Sequence, residues 1–354
     1  MKIDYGISKL ITDLRTPLLA GVVFIHSTPN FNSLNIDSFF TWFFGLYGPS
    51  ICVPCFFLIS GFLIYSGDEN AISYNEYISK IKKRFNSLIL PYIIWNLLCF
   101  IVRFPTLPEL HWRSIWRIFI VWNQVINNGF TELSSPIDGP LWYIRDLIGC
   151  VIISPIIYYA LRRFSLVSIL FLLLWWFSDI YPFIPGFSSV SICFFSIGIW
   201  LRTVSAKRME QIRHFISIKT VLILIIIGLI CTAINWMIKL GVLEYSILRT
   251  ISYKLFILSA GLVVIYIIYY ISRKNAMPVV INKIGQNNFI VFALHAILVG
   301  IISTVVRHIP YMKDAGLFVT LIIVGFITFF SSIFFAEILK RLSPTVYRYL
   351  NGGR

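Results

Sequence analysis

Arg15 and His26 stand eleven residues apart in the first apolar stretch of the chain, LRTPLLAGVVFIHS. Eleven residues is close to a whole number of turns at 3.6 residues per turn, so a continuous helix puts both on one face, about 16 Å apart along its axis. They could line one cavity without touching, each serving a different part of a ligand. A neutral imidazole can take a proton from a hydroxyl and hand it to a leaving group, which is what acyl transfer to an alcohol requires. Plainer readings stand beside this one. Thr16 and Pro17 read equally well as a helix start with Arg15 just outside it. Arg15 then serves as a cationic anchor reaching for water, and His26 as a hydrogen-bonded structural histidine.

The other ionisable groups in apolar surroundings are few: Arg145, Asp146, Asp179, His295 and Glu337. A charge at membrane depth costs at least about 2.5 kcal/mol, which makes each a candidate for function. Arg145 and Asp146 are adjacent and would point about 100° apart on a helix, so each is expected to find its main partner elsewhere. His295 and Glu337 read either as groups facing a substrate or as polar ties between helices. The cysteines (Cys52, Cys55, Cys99, Cys150, Cys193, Cys231) mostly lie in apolar runs and read as small buried hydrophobes. Cys52 and Cys55 have zinc-like spacing, but no second Cys/His pair lies in a polar loop nearby, so no metal is expected. No Gly-X-Ser-X-Gly elbow, P-loop, dinucleotide fingerprint or zincin motif is present, which leaves serine-hydrolase, NTPase and related chemistries without support.

The elements that must position these groups follow from composition. Of 354 residues, 58% are hydrophobic and only 13% charged, with a mean hydropathy of +0.83. A soluble globule cannot hide that much apolar surface, whereas about ten spans of some 20 residues fit this length. Apolar runs between polar or Pro/Gly breaks predict spans over 17–28 (extendable towards Tyr5), 43–66, 88–104, 141–160, 164–181, 187–201, 220–238, 251–271, 287–306 and 315–339. The reading is an all-α, polytopic membrane helical bundle forming one domain over residues 1–354. With the first residues in the cytoplasm, most of the 30 lysines and arginines fall on the inner side, so both termini are expected to be cytoplasmic. The net charge of +15 is thereby read as topology and not as a nucleic-acid surface. No cleavable signal is apparent before the first span. Pro49 and Pro54 in the second span, and the outer loop 105–140 with Trp112, Trp116 and Trp122, mark irregular stretches. Each is either tolerated irregularity or a re-entrant or interfacial segment.

Taken together, these residues resemble the acyltransferase-3 family of integral membrane O-acyltransferases, which decorate bacterial surface glycans. The resemblance covers nearly the whole chain. It begins with Arg15 and His26 and continues in FFLISGFLIY around Ser60, Gly61 and Phe62. It runs through KIKKRFNSLILPYIIW from Lys80, GPLWYIRDLIGCVIISP with Trp142, Arg145 and Asp146, IGQNNFIVFALH ending in His295, and RLSPTVYRYLNGGR. The sequence departs from many members at Ser87, where a second arginine follows the first by three residues.

The resemblance implies a multi-pass protein of the bacterial cytoplasmic (inner) membrane that moves an acyl group, commonly acetyl, from acetyl-CoA. The acceptor is a sugar hydroxyl of a surface glycan or its lipid-linked precursor. It further implies His26 as general base with Arg15 as essential partner, and Arg84 and Lys83 as contacts for the anionic phosphates of CoA. Trp142, Arg145, Asp146, His295 and Glu337 are implied to be substrate-facing or structural polar groups. No permanently bound cofactor, metal or nucleic acid is expected. Trp112, Trp122, Glu132 and Asp138 on the outer side are suited to sugars in general. The rival readings are a translocator and a non-catalytic subunit of an export assembly for a lipid-linked glycan. The first would show internal repeats or paired broken helices, and the second would have no need of His26.

Overall fold

The structure, a computed structural model, describes residues 5–353 apart from 66–73, 105–114, 122–134, 180–183, 204–216, 244, 275–276, 279–283 and 313–314. The described residues are mostly helical, with no strand among them. Among the described residues, eight helices are long and apolar enough to cross a membrane. The outward faces are apolar, as in Leu222, Ile226 and Leu229 on one helix and Phe330 and Phe334 on another, which suits a lipid surround better than water. The protein is therefore an all-α, multi-pass membrane bundle.

Helix α1 (Tyr5–Ser27) is continuous through Pro17, so the chain does not start its helix at Thr16. It lies against helices from four later parts of the chain, which makes it the central element of the bundle. The second span is a helical run of 29 residues from Ile36 to Ile64 and not a re-entrant hairpin. Within it α2 (Ile36–Trp42) and α3 (Cys52–Ile64) are joined by a π turn at Phe43–Tyr47 and a 3-10 turn at Gly48–Ile51. Pro49 is the second residue of that tightened turn.

Helix α4 (Tyr74–Arg84) carries the basic stretch and runs through a second π turn, Phe85–Ile89, into α5 (Leu90–Arg103). The cationic segment is thus a helix and not a loop. A one-turn helix, α6 (Arg117–Ile120), precedes α7 (Trp142–Ser178). The 37 residues of α7 would span about 55 Å if straight, far more than a bilayer core of about 30 Å. The helix breaks at Ser165, at φ 39° and ψ −113°, two residues beyond Arg163. Counting its halves separately, and adding the shorter α8 (Ser189–Thr203), recovers the ten expected spans.

The remaining spans are α9 (Ile218–Lys239), α10 (Ser246–Arg273), α11 (Asn288–His308) and α12 (Leu317–Leu342), followed by the short α13 (Pro344–Leu350). Asp37 caps α12 across the bundle, accepting from Leu317 N at 2.7 Å and Phe318 N at 3.0 Å. Asp179 ends α7 and pairs with the ammonium of Lys254 on α10. The tightest crossing joins α3 to α8, where a Cβ on Gly61 would overlap the Phe195 carbonyl and one on Gly198 the Leu58 carbonyl. Small residues permit this approach of two backbones in lipid, where no water is left to drive helices together. All six cysteines are buried and free, as small hydrophobes would be.

Candidate active site

The central position of α1 brings its late residues against α11. The rings of His26 and His295 lie 5.1 Å apart between centroids, inclined by 56°. His295 is 0% exposed. Its Nδ1 is 3.2 Å from the Val291 carbonyl, which can only accept, so Nδ1 carries the hydrogen and Nε2 is left as a bare acceptor. That Nε2 is buried and has no hydrogen-bond partner among the described residues. His26 differs from it in one respect: it is exposed, although its helix is the central one of the bundle. Both hold together when the imidazole lines a cleft inside the bundle. The pair is thus one accessible imidazole backed by one that is sealed off.

A second cluster grows from the close α3–α8 crossing. Gly61 pulls α3 onto α8 and leaves the neighbouring Ser60 Oγ turned to α7, 3.2 Å from the Tyr143 hydroxyl. Tyr143 packs on Phe57 at 4.6 Å and on Phe292 at 5.6 Å, and Phe292 in turn lies 5.9 Å from His295. The charges of Arg84 and Arg15 both act on the Tyr143 phenol. Five stretches distant in sequence therefore converge: Arg15 and His26, Ser60, Arg84, Tyr143, and His295. Trp142 sits beside them, half-buried, with its ring 6.3 Å from Phe57. Tyr143 was missing from the candidates read in the sequence. It lies inside a quoted motif, but its value comes from Ser60, 83 residues away in the chain.

On the side where Arg84 enters, α4 exposes Lys82 and Lys83. These two, with Ile78 and Ser79, line a surface cavity of about 400 Å³. Lys80 lies over the Tyr65 ring at 4.6 Å, a cation–π contact at the end of α3. Such a surface can hold an anion outside the bundle.

Arg145 and Asp146 overturn the expectation that each pairs mainly elsewhere. Arg145 Nε and Nη2 donate to Asp146 Oδ1 at 3.0 and 2.9 Å. The long arginine stem curls round the first turn of α7, which the 100° offset of the backbone does not prevent. Each also ties a distant segment: Arg145 Nη1 donates to the Ile120 carbonyl at 2.7 Å, and Asp146 accepts from Gly186 N and Ser188 N, both at 3.2 Å. The pair holds the start of α7 in place. Glu337 likewise belongs to a structural network, accepting from Asn287 Nδ2 at 2.7 Å while Tyr347 Oη donates to Asn287 Oδ1 at 2.6 Å.

Asp138 is not offered to solvent as a sugar contact would be. It is 0% exposed, and neither carboxylate oxygen has a hydrogen-bond partner among the described residues. Burial pushes its carboxyl well above the usual range, with the Arg103 charge opposing. Of the outer tryptophans, Trp116 is exposed, whereas Trp112, Trp122 and Glu132 lie outside the described residues.

A family model described as an acyltransferase domain, acyltransferase-3, matches residues 14–337. The succinoglycan biosynthesis protein ExoH of Rhizobium meliloti (strain 1021) is 27% identical over 227 residues, 59% of this chain. The chain spans 58% of that relative's length. No solved structure matches significantly. The matched residues run from just before Arg15 to Glu337 and so enclose both histidines, Ser60, Arg84 and Tyr143: the chain belongs to the acyltransferase-3 family.

Proposed function

We propose that the protein is a membrane-bound O-acyltransferase. It moves an acyl group, acetyl in the simplest case, from acyl-CoA to a sugar hydroxyl of a cell-surface glycan or its lipid-linked precursor. The observation that carries this reading is the exposed His26 ring within the bundle, backed by the buried His295. His295 Nε2, a buried acceptor beside the His26 ring, is placed to orient one nitrogen of His26, which leaves the other nitrogen to act as the base. That nitrogen takes the proton of the sugar hydroxyl as the oxygen attacks the thioester carbonyl. The tetrahedral intermediate collapses with cleavage of the carbon–sulfur bond, and the imidazolium returns the proton to the departing CoA thiolate. The products are an O-acyl ester and free CoA.

The donor's phosphates are held at α4, where Lys83 and Arg84 supply charge-assisted hydrogen bonds. Arg15 and Tyr143, between α4 and the histidines, orient the thioester arm. By the positive-inside rule the α4 side faces the cytoplasm of a bacterium, where acyl-CoA is found, and the enzyme sits in the inner membrane. A glycan acceptor also accords with the name of the succinoglycan relative. Mass spectrometry of surface glycan from cells producing wild type or His26→Ala tests the reading. Acyl-bearing sugar only with wild type is expected. Equal acylation with both proteins, or with neither, counts against it.

A further inference from the structure

We propose that helix α13 forms a second cationic wall of the donor-phosphate surface, with Arg348 as its ligand-binding residue. This rests on the acyl-CoA reading above and extends it to residues 344–353. The helix faces inward through Tyr347 and Leu350, both buried. Asn351 Nδ2 donates to the Gln286 carbonyl at 2.7 Å, and Trp95 Nε1 on α5 donates to the Leu350 carbonyl at 3.1 Å. Past the helix the backbone turns at Gly352, φ 74°, where a Cβ would stand 2.7 Å from the Ser87 carbonyl oxygen. Only glycine allows this contact.

Gly353 N donates back to the Arg348 carbonyl at 2.7 Å, and a Cβ on Gly353 would lie 4.0 Å from the Asn86 carbonyl oxygen. Arg348 therefore stands one hydrogen bond from a residue that abuts the π turn directly following Arg84. Arg348 itself lies on the exposed side of α13, and the turn that follows carries the backbone against Ser87.

The charges in the last turn of α4 and on α13 have one sign. Lys82 and Lys83 line the cavity on α4, Arg84 ends that helix, and Arg348 is exposed with no carboxylate paired to it among the described residues. Glu337, the acidic group in the adjoining network, is engaged by Asn287. A coenzyme A thioester carries a diphosphate and a separate ribose phosphate. Two groups of cations on two elements suit two separated anionic groups better than one helix face alone.

The test is direct titration of the purified full chain with acetyl-CoA at low and high salt. Arg348→Gln is expected to weaken binding roughly fivefold at low salt, with the difference vanishing near 1 M salt, while folding is unchanged because the side chain is exposed. Gly352→Ala, which pushes α13 off Ser87, should weaken binding similarly without altering any charge. If Arg348→Gln binds as wild type while Lys83→Gln binds more weakly, α13 has no part in the site and the donor reading survives. If folded wild-type protein binds no acetyl-CoA, the donor reading fails first and the inference with it.

Discussion

His295 stands directly behind His26, ring to ring at 5.1 Å, with a buried Nε2 that no described group satisfies. Such a bare acceptor costs roughly 1–3 kcal/mol if left alone, so its neighbour is the group it is built to orient. His295→Ala should therefore lower kcat about 100-fold with donor KM within about threefold, as expected for misplacing a base by about an ångström. Steady-state kinetics check this. A large rise in KM with unchanged kcat would assign His295 to substrate binding instead.

Tyr143 and Ser60 share a hydrogen bond of 3.2 Å between α7 and α3. Tyr143→Phe and Ser60→Ala should each cost about 1 kcal/mol of stability. The double variant should lose little more than either single one, because both remove the same bond. Thermal unfolding of the four proteins in detergent gives the coupling. Strict additivity would mean that the two hydroxyls act separately.

Asp138 is a carboxyl with a raised folded-state pKa, so its effect on stability has a definite sign. Below the ordinary carboxylate pKa of about 4 both folded and unfolded states hold the proton, and no penalty exists. As pH rises through that value the unfolded chain releases its proton first, and stability falls until the folded pKa is passed. Asp138→Asn should thus raise the melting temperature at pH 8 and leave it nearly unchanged at pH 4. Melting curves at both values decide this, and a destabilised variant at pH 8 would show that the carboxylate is charged and paired.

Gly61 lets α3 touch α8, and a methyl there meets the Phe195 backbone. Gly61→Ala should destabilise by about 1–3 kcal/mol, the usual cost of overpacking, and should move Ser60 away from Tyr143. A fall in both melting temperature and kcat is expected. Loss of stability with full activity would separate the crossing from the site.

Much of the bundle was legible in the sequence because lipid imposes long apolar runs, and basic residues punctuate them. The division at 160–164 was visible for that reason: Arg162 and Arg163 interrupt an apolar stretch too long for one span, and the helix breaks at Ser165. The face shared by Arg15 and His26 followed from helical period alone. What could not be read depends on contacts between distant segments. The spacing of Arg145 and Asp146 describes backbone directions, while their pairing depends on a flexible stem. Asp138 looked like a loop carboxylate, and only the packing around it shows that it is sealed. Tyr143 gains its place from Ser60, Arg84 and Phe292, none of them near it in sequence.

The proposal gives His26 the role of the base that takes the proton of the sugar hydroxyl as the acyl group passes from CoA to the sugar. It is tested most directly in vesicles holding purified protein and surface glycan, supplied with radiolabelled acetyl-CoA. Wild type should label the glycan, and His26→Ala should do so at least 100-fold more slowly while binding acetyl-CoA equally well. Labelling at the wild-type rate by His26→Ala would contradict the account.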